Sequence, residues 1–71
     1  MTRYPIIIEK ANGNYSAYCP DLPGCAATGS TLDEVKTNMR DAIELHIRGL
    51  KEDGLPIPRP SAEVVYVEVV G

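Results

Sequence analysis

The chain has no tryptophan and no phenylalanine, so four tyrosines (Tyr4, Tyr15, Tyr18, Tyr66) carry all its aromatic surface. It has one histidine, His46, and two cysteines, Cys19 and Cys25. A structural zinc site wants four Cys or His ligands with closely paired spacings; these side chains are too few, and five residues separate the cysteines where a pair would stand closer. Nor do two cysteines build a disulfide framework, so free thiols are expected. Basic residues are scarce as well: 7 against 10 acidic ones leave a formal net charge of −3. Unaided nucleic-acid binding rests on neutralising phosphates, so this balance suits a basic partner instead. Long hydrophobic runs are missing too. Ile6-Ile7-Ile8 stops at Glu9 and Lys10, and Val64 to Val70 is broken by Glu68. Neither is long enough for a signal peptide or a membrane span, and the expectation is a cytoplasmic protein.

What is present fits one small domain, residues 1–71. A chain of this size buries only about 60% of the surface its unfolded form exposes, so it has little stability in reserve. Tyr4 to Lys10 is rich in β-branched residues and reads as a strand. Asn12-Gly13 follows, a strong hairpin signal because both turn positions favour positive φ. Tyr15 to Cys19 pairs back as the second strand. Pro20 to Gly24 breaks it with turn formers, and Cys25 to Gly29 reads as a short third strand.

The helix is the clearest element. Thr31-Leu32-Asp33-Glu34 fits a capping box, with the Thr31 hydroxyl accepting from the Glu34 amide and the Glu34 carboxylate reaching back to the Thr31 amide. Leu32, Val35, Met39, Ala42, Ile43, His46 and Leu50 recur at three- and four-residue steps and form one stripe. Gly54 supplies the left-handed stop, and Pro56, Pro58 and Pro60 prevent resumption. Leu55 to Pro60 is then a stiff connector, and Glu63 to Val70 reads as a last strand. The expected fold class is α+β: strand-strand-strand-helix-strand, in a single mostly antiparallel sheet with one helix packed on one face.

One helix covers one face of a sheet, yet two strands are apolar on both. The first offers Tyr4, Ile6 and Ile8 on one side and Pro5 and Ile7 on the other. The last offers Val65, Val67 and Val69 against Val64, Tyr66 and Val70. A strand with one solvated face normally alternates apolar and polar residues. The spare side therefore points to another subunit or another protein, with at least a homodimer expected and Val65, Val67 and Val69 as its candidate interface. Leu45, well off the helix stripe, adds a little to the same expectation.

Candidate chemistry is thin. His46 lies within the apolar stripe, as a core-edge imidazole would. Cys19 and Cys25 read as small packed hydrophobes. Asp33 and Glu34 are explained by the helix start, Asp21 by its turn, and no phosphate-binding glycine loop is present. No catalytic residue, metal or cofactor is expected. A minimal nuclease, with Glu9 and Asp21 converging on a divalent ion, is the less favoured alternative.

Pro20-Asp21-Leu22-Pro23-Gly24-Cys25, followed by Thr28-Gly29-Ser30-Thr31-Leu32-Asp33-Glu34, resembles the HicB family of antitoxins. Gly54-Leu55-Pro56-Ile57-Pro58 is similar to the way that family's helix closes. Val35 departs from the usual Ala and implies a slightly bulkier core contact. The resemblance implies a partial RNase H-like fold without nuclease carboxylates. It also implies a HicA-type toxin as partner, a small basic RNA-cleaving protein that the antitoxin binds and masks. The acidic charge agrees, since opposite fields steer association. Many relatives carry a C-terminal DNA-binding segment; the sequence ends at Gly71 without one, which leaves direct DNA binding doubtful. Candidate toxin contacts are Glu9 and the turn residues Asp21, Leu22, Pro23 and Gly24, with a purely structural turn as the other reading of that loop. A self-associating domain with no toxin remains the third alternative.

Overall fold

The computed structural model describes residues 2–71. Strands β1 (Ile7–Ala11), β2 (Asn14–Tyr18) and β3 (Ala26–Gly29) precede one helix, α1 (Leu32–Glu52). The sheet runs in the order β1-β2-β3, antiparallel throughout. Asn12 and Gly13 join β1 to β2 with φ of 50° and 76°, the two positive values that a two-residue hairpin loop uses to match strand twist. Ladder pairing starts at Ile7 rather than Tyr4, and the preceding residues flank the sheet instead. The α+β class and the three-strand-plus-helix order follow the sequence expectation.

Registration decides the faces. Ile8, Ala17 and Ala27 lie abreast, as do Ile7, Tyr18 and Ala26 one step along. Side chains alternate across a strand, so the first row faces α1 and the second faces away. Ala17, Cys19, Leu22, Cys25, Val35 and Met39 form the buried core, with Ile6, Ile8, Tyr15, Ala27, Ala42, Ile43 and Ile47 packed around it. The α1 backbone runs alongside β3 and β2 but not β1. It comes so close to β3 that a Cβ on Gly29 would sit 2.6 Å from the Val35 amide nitrogen and 2.9 Å from the Val35 Cα. Only glycine admits the helix at that distance.

Helix α1 begins as its sequence demands, with one change. The Thr31 hydroxyl accepts from the Glu34 amide at 3.0 Å. The Glu34 carboxylate, however, reaches past Thr31 and accepts from the Ser30 amide at 2.8 Å and the Ser30 hydroxyl at 3.2 Å. One more amide at the helix entrance is satisfied either way. At the other end the Gly54 amide donates to the Lys51 carbonyl and the Leu55 amide to the Leu50 carbonyl, with Gly54 at φ 68°. That is a Schellman stop. Along the stripe, Leu32 is exposed and Ile47 takes a packed position that sequence spacing did not assign.

The last expected strand is the main correction. Residues 63–70 carry strand-like residues but pair with nothing among the described residues and are exposed throughout. A strand exists only as part of a ladder, and the connector carries this segment away from both sheet edges. Tyr4 donates from its hydroxyl to the Pro58 carbonyl at 2.6 Å, and Asp21 holds Ser61. Beyond that point the chain projects as an arm. The Cα radius of gyration is 13.9 Å, against about 11 Å for a compact chain of this length, and one axis of the molecule extends 48 Å against 27 and 21 Å for the others.

Candidate protein-interaction surfaces

The β2–β3 connection is two consecutive β-turns. Leu22 donates its amide to the Cys19 carbonyl at 3.2 Å, and Cys25 donates to the Leu22 carbonyl at 3.0 Å. Pro20 and Pro23 each take the second position of a turn, which their fixed φ prefers. Gly24 takes the third position of the second turn at φ 82°, where type II geometry needs glycine. The Cys19 amide closes the loop on the Cys25 carbonyl at 3.1 Å. This rigid double turn drives Leu22 into the core with no exposed surface left.

Leu22 is therefore corrected as a surface contact: its side chain has nothing to offer a partner. Asp21 is also engaged. Its Oδ1 accepts from the Ser61 amide at 3.0 Å, the Ser61 hydroxyl at 2.9 Å and the Ala62 amide at 3.2 Å. The Ser61 amide above all, helped by the Ser61 hydroxyl and the Ala62 amide, holds the Asp21 carboxyl below the usual carboxylate range, against a partial loss of hydration that pushes the other way. Sequence reasoning missed this clamp because its halves lie 40 residues apart. Pro23 and Gly24 remain exposed at the tip.

Glu9 is exposed on β1, on the sheet face turned away from α1. It shares that face with Ile7 and with Tyr18, which is 46% exposed. Tyr18 was not singled out from sequence. Its signal was there: it stands between the buried Ala17 and Cys19, and period-2 alternation turns it outward. Glu9, Tyr18 and the Pro23-Gly24 tip thus belong to the outer side of the sheet and its adjoining loop.

A second surface lies on the helix side. A groove of about 1040 Å³ separates the β1 flank from α1. Ile6 and Ile8 form one wall, Met39, Ile43 and Ile47 the other, and Arg3, Lys36, Arg40 and Glu44 stand among them. It is open because α1 leans toward β3 and leaves the β1 side uncovered. Val65, Val67 and Val69 lie on the arm, each more than 70% exposed.

The remaining candidates show no convergent chemistry. His46 is half-buried on α1. Cys19 and Cys25 are buried free thiols; burial, and then the neighbouring Cys19, raise the Cys25 thiol above its ordinary value, which disfavours the nucleophilic thiolate at neutral pH. Among the described residues no three His, Cys, Asp or Glu side chains come together to hold a metal ion. No helix among them is long and apolar enough to cross a membrane.

A sequence model described as the HicB_like antitoxin of bacterial toxin-antitoxin system matches residues 4–68. The chain belongs to the HicB-like antitoxin family. Its fold is similar to a chain of the solved HicA3 and HicB3 toxin-antitoxin complex, with a TM-score of 0.73 and 35% identity over 84% of this chain and 70% of that one. Among curated relatives, a protein from the rep-hol intergenic region of Haemophilus phage HP1 is 42% identical over 90% of this chain. The match spans only 48% of that phage protein's length. A UPF0150 protein of Thermoplasma acidophilum is 39% identical over 92% of this chain and 96% of its own.

Proposed function

We propose that this chain is the antitoxin of a toxin-antitoxin pair and that it binds and masks a HicA-type toxin, a small basic RNA-cleaving protein. The observation that carries this reading is the fold's likeness to a chain of a solved toxin-antitoxin complex, at an identity well above what fold alone would produce. The net charge of −3 supports a basic mate, since complementary fields raise association rates and suppress wrong partners. Its action is by occupation of the toxin, in the cytoplasm, and not by catalysis of its own.

The contact surface we assign is the outer sheet face and adjoining tip: Glu9, Tyr18, Pro23 and Gly24. Asp21 and Leu22 support it from within, one by clamping the connector and the other by filling the core. Co-expression with a basic HicA-type partner should restore growth that the partner alone arrests, and the two proteins should co-purify. Glu9→Lys together with Tyr18→Ala should weaken the complex by tenfold or more, on the order of the cost of losing a buried aromatic anchor, with the helical circular dichroism unchanged. Full growth rescue by that double variant would remove the outer face from the interface.

A further inference from the structure

The groove between β1 and α1 and the arm beyond Ala62 are complementary, and they leave each other unused within one chain. The groove walls are aliphatic: Ile6 and Ile8 against Met39, Ile43 and Ile47. On the arm, Val65, Val67 and Val69 alternate along one face, and Glu68 falls on the other. Among the described residues the sheet edge beside the groove is free, because β1 pairs only with β2. At the opposite edge α1 runs alongside β3, and Asn38 already donates to the Thr28 carbonyl at 2.8 Å. An exposed strand edge bordering an apolar groove is a template for an added strand. Lengths agree as well. Eight arm residues span about 26 Å when extended, close to the run from Arg3 to Ala11 at about 30 Å.

Charge chooses the occupant. Arg3, Lys36 and Arg40 stand in the groove against the single acid Glu44, a basic strip on an acidic protein. A basic toxin is disfavoured there. The arm carries Glu63 and Glu68 and no basic residue. Within its own chain, the arm is rooted by Asp21 and then leads outward, exposed along its whole length.

We propose that the arm of one copy docks as a fourth strand on the β1 edge of a second copy, with Val65, Val67 and Val69 filling that copy's groove and the exchange made reciprocally. Exchange of an identical element between protomers is a low-cost route to a dimer, and it gives this small body the apolar cover that a single helix cannot provide. The groove lies on the sheet face opposite the one assigned to the toxin, although both use β1, and a test without toxin separates the failure of one reading from the failure of the other.

Light scattering on the purified full chain, with no toxin present, should give twice the monomer mass at micromolar concentration. Val67→Lys should shift it to the monomer mass with its helical signal intact. Geometry is tested separately by disulfide trapping. Ile8→Cys and Val67→Cys proteins, refolded together and oxidised, should yield a cross-linked dimer containing one of each, while the parent chain, whose two thiols are buried, yields none. The double variant Ile8→Cys with Val67→Cys should cross-link between chains. A parent chain that is monomeric overturns the proposal. So does a cross-link formed within one chain, which would mean that the arm folds back on its own groove. A dimer that forms no Ile8–Val67 cross-link and ignores Val67→Lys places the contact elsewhere and overturns it equally.

Discussion

The body and the arm of this molecule obey the same local rules and end differently. From Ile7 to Gly54 every local signal has a partner within reach: the Asn12-Gly13 turn closes a hairpin, Thr31 caps a helix, and Gly54 ends it. From Glu63 to Val70 the residues favour a strand at least as strongly as β3 does, and no strand forms. The difference lies in what each pattern needs. A helix satisfies its own backbone, and a hairpin finds its second strand two residues away. A strand with no hairpin partner needs an edge supplied from elsewhere. Consistency between local preference and global placement is what makes a sequence fold to one state, and the arm has the first without the second.

The comparison is tested hardest at Leu22, where a loop residue does the work of the core. Leu22→Ala leaves the turn backbone intact and opens a cavity beneath it. The expected loss is about 2–5 kcal/mol, a large share of what so small a domain has. Urea denaturation followed by circular dichroism measures it. A loss below about 1 kcal/mol would show that the turn collapses into the space, and that the body is more plastic than its packing implies. The next effect is at Gly29. A methyl there meets the Val35 backbone at 2.6 Å, and backbone yields less readily than the end of a side chain. Gly29→Ala should cost about 1–3 kcal/mol, in the range of overpacked core sites, although glycine is otherwise a poor strand residue.

These two positions also mark how far the sequence could be read. The turn chemistry of Pro20 to Gly24 was legible, because proline and glycine constrain the backbone directly. That Leu22 points inward was not, since a turn has no periodicity to assign a face. The two ends of the helix were legible except for the register of the capping carboxylate, since Ser30 stands one residue before the Thr31 cap and competes for Glu34; its buried stripe was legible except at Leu32, which is exposed, and Ile47, which packs on the core. On β1, the doubled apolar faces were visible, and the open groove on the α1 side gives one of them a physical cause. Long-range polar contacts stayed hidden. Nothing at Ser61 or Ala62 indicates that both amides serve a carboxylate in the β2–β3 loop.

That carboxylate is where body and arm meet, and its removal should separate them with the smallest effect on the body. Asp21→Ala deletes the acceptor of three hydrogen bonds that root the arm and touches no core side chain. The denaturation midpoint of the body should stay close to the parent's, while proteolysis at residues 55–62 accelerates. The pH dependence carries the same sign. The clamp lowers the Asp21 pKa in the folded chain, so its contribution is complete above the ordinary carboxylate pKa and is lost as the pH falls through the lowered one. The Ser61 and Ala62 amide resonances should therefore titrate together at a pH below the ordinary Asp range, and Asp21→Ala should abolish that step. If the two amides titrate at the ordinary carboxylate pKa, Asp21 is not holding them, and the arm is rooted by Tyr4 and Pro58 alone.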